Sequence, residues 1–287
     1  MSARSKLMPA LWLALAAILI TGHDGSGAAE ARPRVLSVVS FNVESDRDTD
    51  PQLVGRVIAR ISRTHGVDLF GLAEVGSQAD AQVFAMAASR DGGSFEPILA
   101  GNGDRDRVAI LYNADTLKLS RTFELDRFPG SRKAMVAQLS DRASGQDFLF
   151  IANHFNRRDT DRRNRQAQLV RDWVLAQDLP AILVGDFNFD FDPLMGRGNA
   201  AFGIFTADPA LRWVRPECIA SGTCPKTGTQ CDRRFNSIMD FVLVADHGRN
   251  WPAVSEVLFR EQADYCDQER NGGSDHRPVL GLITLQR

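Results

Sequence analysis

The chain has 287 residues, 44% of them hydrophobic, and a formal net charge of −2. It is long enough to bury a large core, and this charge excludes a strongly basic protein, so a surface for polyanions must be local. The four cysteines, Cys218, Cys224, Cys231 and Cys266, predict two disulfides in an oxidising compartment. Three connectivities are open, and we favour Cys218 with Cys224 and Cys231 with Cys266. Zinc is the weaker interpretation because no Cys-x-x-Cys spacing occurs.

The first 31 residues differ in kind from the rest. Arg4 and Lys6 precede an apolar run over residues 7–20, and Ala29-Glu30-Ala31 offers small residues for cleavage. A membrane anchor is disfavoured because the run is shorter than the roughly 20 residues that a spanning helix needs. We therefore predict a signal peptide over 1–31, one domain over 32–287, and a secreted or periplasmic protein with no stable membrane span.

Apolar periodicity predicts many short strands interrupted by a few helices. Strands are expected at 35–42, 67–75, 95–100, 107–112, 117–123, 133–139, 148–154, 181–185, 238–245, 254–259 and 279–285. Helices are expected at about 51–64, 78–90 and 162–177, and a loop-rich region at 186–236. Helices that fall between strands predict two β-sheets packed face to face with helices outside, an α/β sandwich.

Polar motifs interrupt or follow these apolar runs at six places. They are Phe41-Asn42-Val43, Ala73-Glu74-Val75, Asn153-His154, Gly185-Asp186-Phe187-Asn188, Ser237-Ile238-Met239-Asp240-Phe241 and Ser274-Asp275-His276-Arg277-Pro278-Val279. A lone buried glutamate at a strand end is costly without a partner, and a hard cation such as Mg²⁺ would be one for Glu74. Asn42 is a second candidate metal residue. Hydrolysis of a phosphodiester by in-line attack needs an oriented water and hydrogen-bond donors for the phosphoryl oxygens. Asp186 could orient the water, and Asn188 could donate to the developing oxyanion.

Two histidines stand where each needs a carboxylate to hold its tautomer. For His276 the candidate is Asp240, which interrupts an apolar strand and would be expensive to bury alone. For His154 the candidate is Asp106, just before the strand at 107–112. The arginines that follow His154 form the densest basic run of the chain.

These motifs, in this order, resemble those of the endonuclease/exonuclease/phosphatase superfamily, the deoxyribonuclease I-like group, in a secreted bacterial-type form. The resemblance runs from Phe41 to Val279, and only Ala-Glu-Val departs from the commoner Gln-Glu pair. It implies a four-layer α/β sandwich of two mixed sheets with the site at one rim. It also implies Mg²⁺, with Mn²⁺ or Ca²⁺ as substitutes, near Asn42, Glu74 and Asp275.

The resemblance also assigns roles at the reacting phosphate. It places Asp186 and Asn188 at the nucleophile and scissile phosphate, and His276, paired with Asp240, as base or phosphate ligand. His154 matches the second histidine of the deoxyribonuclease and sphingomyelinase branches, which often pair it with an acid that Asp106 would supply.

We therefore expect a secreted Mg²⁺-dependent phosphodiesterase, an endonuclease that hydrolyses DNA or RNA, with nucleic acid as its partner and a monomeric state favoured. Gly76 stands where pancreatic-type deoxyribonuclease has an arginine that grips the minor groove, so other arginines are expected to bind substrate: Arg105, Arg107, Arg132 and Arg157. A sphingomyelinase-like or inositol-phosphate phosphodiesterase or phosphatase is the main alternative. A non-catalytic binding protein on the same scaffold is a third, opposed by the retention of every metal and base residue.

Overall fold

Twelve strands make up the centre of the computed structural model, which describes residues 33–46, 49–232, 234–262 and 264–286, the side chain of Arg270 excepted. The strands are β1 (Val35–Asn42), β2 (Leu69–Val75), β3 (Phe95–Leu99), β4 (Arg107–Asn113), β5 (Leu117–Glu124), β6 (Met135–Asp141), β7 (Asp147–His154), β8 (Ala181–Phe191), β9 (Arg212–Trp213), β10 (Ile238–Ala245), β11 (Ala253–Val257) and β12 (Val279–Thr284). The predicted signal peptide lies outside the described residues. Within the described ranges, no helix has the length and hydrophobicity to cross a membrane.

Five α-helices and one 3-10 helix, Tyr265–Asn271, accompany these strands in the described part of the chain. The α-helices are α1 (Pro51–His65), α2 (Gln78–Ala88), α3 (Thr160–Leu175), α4 (Ala200–Phe205) and α5 (Glu217–Ser221). The ends of α1 follow from local chemistry. The Asp50 side chain accepts a hydrogen bond from the Gln52 amide at the start, and Gly66 ends the helix in a left-handed conformation.

The strands form two six-stranded sheets. The first has the order β11-β12-β1-β2-β4-β3 and the second β5-β6-β7-β8-β10-β9. Each sheet is mixed, because β1 runs parallel to β2 and β7 parallel to β8, whereas the other neighbours are antiparallel. The sheets and their helices confirm the α/β sandwich expected from the sequence.

Three apolar cores hold the four layers together. Val38 and Val184 belong to the core between the two sheets. Phe84 of α2 packs in the core on the outer face of the first sheet, and Val170 of α3 packs in the core on the outer face of the second. Burial of these large aliphatic and aromatic side chains supplies the main driving force for folding.

The predicted loop after residue 185 is wrong at its start, because β8 continues through the Gly-Asp-Phe-Asn motif to Phe191. Phe187, Phe189 and Phe191 alternate along the strand and enter the outer core of the second sheet. The ring centroids of Phe187 and Phe189 are 5.0 Å apart. The period of two is a strand pattern that the turn-like composition of the motif concealed. The remainder of this region also contains α4, β9 and α5.

The structure pairs Cys218 with Cys224 and Cys231 with Cys266, the connectivity that the sequence analysis favours. The first disulfide joins Cys218 of α5 to Cys224, three residues beyond the end of the helix. The second joins the segment before β10 to the 3-10 helix, which immediately precedes the Ser-Asp-His motif. Two distant parts of the chain are thus tied together beside that motif.

The two sheets approach closely at Gly71 of β2, which predicts how the fold responds to one added methyl group. A Cβ at Gly71 would lie 2.1 Å from Val184 Cγ2. We expect Gly71→Ala to lower the free energy of unfolding by about 1–3 kcal/mol through overpacking. Gly203 of α4 is the matched control, because a Cβ there meets nothing within 4 Å. Gly203→Ala is expected to be neutral or to stabilise by about 0.4–1 kcal/mol, and urea unfolding of both variants measures the difference. Equal stability of the two variants would contradict this account of the interface.

Candidate active site

The two parallel strand pairs bring the polar motifs to one edge of the sandwich. Parallel strands end at the same edge of a sheet, and His154 of β7 lies beside Asp186 of β8 in register. Asn42 at the end of β1 lies beside Ala73, the residue before Glu74. The sheets also meet here, since the Gly185 amide donates a 2.9 Å hydrogen bond to Ser40 Oγ.

Glu74, His154 and Asp186 form a group whose ligand atoms all lie within 4.8 Å of one another. His154 Nε2 is 3.6 Å from Glu74 Oε1 and 3.8 Å from Asp186 Oδ2. Asn42 Nδ2 donates to Glu74 Oε1 at 2.8 Å and to Asp186 Oδ2 at 3.3 Å. Carboxylate oxygens with an imidazole nitrogen are a donor set that suits a divalent cation.

The second histidine is held against a buried carboxylate from the second sheet. His276 Nδ1 lies 2.7 Å from Asp240 Oδ2, and both side chains are buried. His276 Nε2 faces Asp275 Oδ1 at 3.6 Å and Asp186 Oδ2 at 4.0 Å. Burial alone would lower the pKa of His276, but the charges of Asp240 and Asp275 outweigh it and hold the pKa well above its usual value. The two carboxylates therefore favour the protonated form of the His276 ring.

His154 has a similar arrangement at the opposite side of Asp186. His154 Nδ1 is 3.2 Å from Asp106 Oδ1, and the guanidinium of Arg132 pairs with the other oxygen of Asp106. Burial raises the pKa of Asp106, but the hydrogen bonds and charges of His154 and Arg132 outweigh it and leave the pKa below its ordinary value. Asp106 is consequently ionised and orients the His154 ring.

Asp186 lies between the two imidazoles and is itself buried. Burial, followed by the negative charge of Asp240, raises the pKa of Asp186 despite the two histidines. Asp186 Oδ1 accepts a 2.9 Å hydrogen bond from the backbone amide of Asn188. The side-chain Nδ2 of Asn188 donates to the Phe155 carbonyl at 3.0 Å. Asn188 Oδ1 and Asp240 Oδ1 are buried without a hydrogen-bond partner in the described structure. Unpaired buried oxygens are rare in folded proteins, and at a polar site they are acceptors that a cation or a water molecule could satisfy.

Glu44 is a residue of this site that sequence reasoning missed. Its carboxylate accepts a 3.1 Å hydrogen bond from the Asp275 amide. Burial first, and then the charges of Asp275 and Glu74, raise the pKa of Glu44 to about 8. The signal available in the sequence was only its place two residues after Asn42, whose Oδ1 accepts the Glu44 amide at 3.1 Å.

Several residues of the site have left-handed backbone conformations. The φ angles are 49° at Glu44, 58° at Glu74 and 50° at Asn188. Such conformations are costly for residues with a side chain and concentrate at functional sites. Gly185 has a φ of 141°, and a Cβ there would lie 2.0 Å from the Asn153 carbonyl oxygen. The motif therefore requires glycine at this position.

Thr229 is a second residue that the sequence analysis missed, and it connects both members of the His276–Asp240 pair. Its buried Oγ1 accepts the amides of Met239 at 3.0 Å and Asp240 at 3.3 Å, where β10 shifts register against β8. Its carbonyl accepts the Arg277 amide at 2.5 Å. No local pattern marks this threonine, because its contacts come from segments 10 and 48 residues further along the chain.

The four arginines predicted to bind substrate have different positions. Arg132 is occupied by Asp106, as described above. The Arg107 guanidinium donates to the Asp104 carbonyl, and Arg105 is exposed in the loop before β4. Arg157 is exposed after β7, with its guanidinium over the ring of Phe235. Three of these arginines are thus grouped at Asp106, which Arg105 and Arg107 flank in the chain and which Arg132 pairs with.

The fold and this constellation define a phosphoesterase-type α/β sandwich, and the sequence match agrees. Residues 39–276 match the model of the Endonuclease/Exonuclease/phosphatase family, and the chain belongs to this family. Its members are typically metal-dependent phosphoesterases. A search of curated proteins finds no relative.

Solved structures of low sequence identity share the fold. An endonuclease/exonuclease/phosphatase family protein from Bacteroides thetaiotaomicron is 20% identical, with a TM-score of 0.64 over 88% of this chain and 96% of that one. A mannosyl-6-phosphatase from the same organism is 21% identical, with a TM-score of 0.63 over 87% and 100%. TDP2 of D. rerio, complexed with a single-strand DNA product, is 15% identical, with a TM-score of 0.67 over 88% and 99%.

The contacts of Thr229 predict a loss of both stability and catalysis when its hydroxyl is removed. Thr229→Val keeps the shape but leaves two buried amides without an acceptor, which costs about 1–3 kcal/mol in unfolding free energy. Because Asp240 then loses its anchor, we expect kcat for bis(p-nitrophenyl) phosphate to fall roughly 10- to 100-fold with little change in KM. Thr229→Ser is the matched control and should retain most of both properties. A Val variant as active as the Ser variant would show that the hydroxyl does not position Asp240.

The raised pKa of Glu44 predicts a pH-dependent stability in the metal-free protein. A carboxyl whose pKa is raised on folding stabilises fully below its unfolded value, and this contribution is lost as pH rises through the folded value. In EDTA, the stability of the wild type should therefore decline between about pH 4.5 and 8, and Glu44→Gln should reduce that decline. Urea midpoints at pH 6 and 8.5 measure it, with the exposed Glu261→Gln as control. Identical pH slopes for wild type and Glu44→Gln would refute the prediction.

Proposed function

We propose that this protein is an exported Mg²⁺-dependent phosphodiesterase that acts as an endonuclease on DNA or RNA. The observation that carries the proposal is the convergence of two carboxylate-backed histidines on Asp186. His154 Nε2 and His276 Nε2 lie 3.8 Å and 4.0 Å from the same Asp186 oxygen. A buried carboxylate between two imidazoles is an arrangement for proton transfer and phosphate binding, whereas a merely structural site has no need for it.

Glu74 is the residue that we assign most directly to the metal. It belongs to the group of three ligands in the structure and also to the set Asn42, Glu74 and Asp275 expected from the sequence. The unpaired oxygens of Asn188 and Asp240 support a cation nearby. When bound, a divalent cation would neutralise charge on the phosphoryl oxygens.

Protein side chains can supply the remaining catalytic roles. The His276 imidazolium is held by Asp240 at Nδ1, so its Nε2 proton is available to a phosphoryl oxygen. Asp186 is placed to orient a water for in-line attack, and its raised pKa makes it a better proton acceptor than an ordinary aspartate. Asn188 presents its amide beside the same position, where its second N–H can donate to the charge that develops on the phosphate.

Several features favour a nuclease. Arg157 and its neighbours follow His154 at the rim, and TDP2, which shares the fold, is complexed with single-strand DNA. The predicted signal peptide and the two disulfides support export. Gly76 has no room for a side chain, since a Cβ there would lie 2.4 Å from the Ser45 carbonyl oxygen. Contact with nucleic acid must therefore use residues elsewhere on the rim.

A lipid phosphodiesterase is the second candidate, and one observation favours it. Leu194 and Met195, in the turn after β8, are 89% and 60% exposed. Exposed apolar side chains near a catalytic edge are typical of proteins that contact a membrane surface. Trp213 and Trp251 are both buried and do not add to an exposed apolar surface.

Nicking of supercoiled plasmid by the purified protein tests the nuclease proposal. We expect Mg²⁺-dependent relaxation that EDTA abolishes and that His276→Ala reduces by at least about 100-fold, because the phosphate loses its imidazolium. His65→Ala, at the end of α1, is the matched control and should nick like the wild type. An intact plasmid would exclude DNA endonuclease activity. Sphingomyelin and RNA would then be tested with the same variants.

A further inference from the structure

A half-exposed aromatic ring, Phe235, has two guanidinium groups close to it, in chain segments attached to the active site. Phe235 is 39% exposed, and the Cζ atoms of Arg157 and Arg234 lie 5.2 Å and 5.7 Å from its ring centroid. Among the large apolar side chains that are exposed in the described part of the chain, Phe235 is the aromatic one.

Phe235, Arg157 and Arg234 form a cluster on two chain segments, and both segments are attached to the catalytic edge. Arg157 follows His154 by three residues, a reach of about 11 Å at most, and its carbonyl accepts a 2.7 Å hydrogen bond from Arg163. On the other side, Asp232 follows Cys231, whose amide donates to the Asp275 carbonyl at 2.6 Å. The ring is therefore positioned relative to both histidine motifs.

Three charged side chains lie near the ring: Asp232, Arg157 and Arg234. Asp232 accepts hydrogen bonds from Nε, Nη2 and the backbone amide of Arg234, and these bonds fix the plane of that guanidinium. These bonds, with a smaller contribution from Arg157, lower the pKa of Asp232 to about 2. Two guanidiniums thus face one carboxylate, and the cluster keeps a net positive charge that complements a phosphodiester chain.

We propose that Phe235, together with Arg157 and Arg234, binds one base of a single-stranded nucleic acid next to the scissile phosphate. The assignment rests on the proposed nuclease function and specifies its substrate. Every base presents a π-face that can stack on an aromatic ring, and arginines beside the ring can bind the adjoining phosphates. An acyl chain would use neither the face of the ring nor the planes of the guanidiniums, so these contacts favour a nucleic acid over a lipid.

Binding of a fluorescein-labelled 12-mer of oligothymidylate, measured by anisotropy at fixed salt in EDTA, tests the subsite without catalysis. Phe235→Leu keeps apolar bulk but removes the π-face, and we expect its Kd to rise at least about fivefold. Phe235→Trp should bind within about twofold of the wild type. Met86→Ala removes another exposed apolar side chain, on α2, and should leave the Kd unchanged. A 12-mer of abasic sites should bind the Leu and Trp variants equally.

Equal affinities of the Leu and Trp variants for oligothymidylate would overturn the proposal. So would a wild type that binds phosphatidylcholine–phosphatidylglycerol vesicles but not oligothymidylate, which would assign the surface to lipid. Hydrolysis of bis(p-nitrophenyl) phosphate with Mg²⁺ is measured on the wild type alongside. It distinguishes a failure of the base subsite from a failure of the proposed phosphodiesterase function. If hydrolysis occurs and the binding pattern fails, only the subsite is wrong. If no hydrolysis occurs, the proposed function itself fails.

Discussion

The buried carboxylate of Asp186 is the constraint around which the catalytic edge is organised. An ionised group in a core is expensive unless opposite charge and hydrogen bonds compensate for it. Here the compensation comes from both sheets: His154 stands beside it on β7, His276 reaches it from the segment before β12, and Asn42 donates to it from β1. The four-layer packing is what allows these groups to meet.

Each histidine that faces Asp186 depends in turn on another carboxylate. Asp106 orients His154 and is itself held by Arg132, and Asp240 holds His276. The arrangement extends outward to Thr229, which binds the backbone at Asp240 and at Arg277. The Cys231–Cys266 disulfide ties the Thr229 segment to the 3-10 helix. Rigidity at the reacting centre therefore comes from a shell of contacts that extends well beyond the residues of the motifs.

The rim of the site differs from its centre in solvent exposure. Central groups are mostly buried and bonded to one another, whereas Arg157, Phe235 and the Leu194–Met195 turn are exposed. One fold supports many substrates when loops around a conserved type of site vary, so the rim is where specificity for nucleic acid or lipid would be determined. Gly76, packed against Ser45, has no room for a side chain at this part of the rim.

The sequence by itself determined the class of fold, the family and the polar motifs, because strand periodicity and short motifs are local properties. It predicted β8 too short, since Gly, Asp and Asn look like turn residues although Phe187, Phe189 and Phe191 continue the strand alternation. The sequence also indicated Asp240 as the partner of His276, 36 residues away, and the tertiary structure gave their distance of 2.7 Å. Only the tertiary structure revealed Glu44 and Thr229 at the site. Their roles arise from strand register and from the meeting of distant loops, which no local pattern of residues encodes.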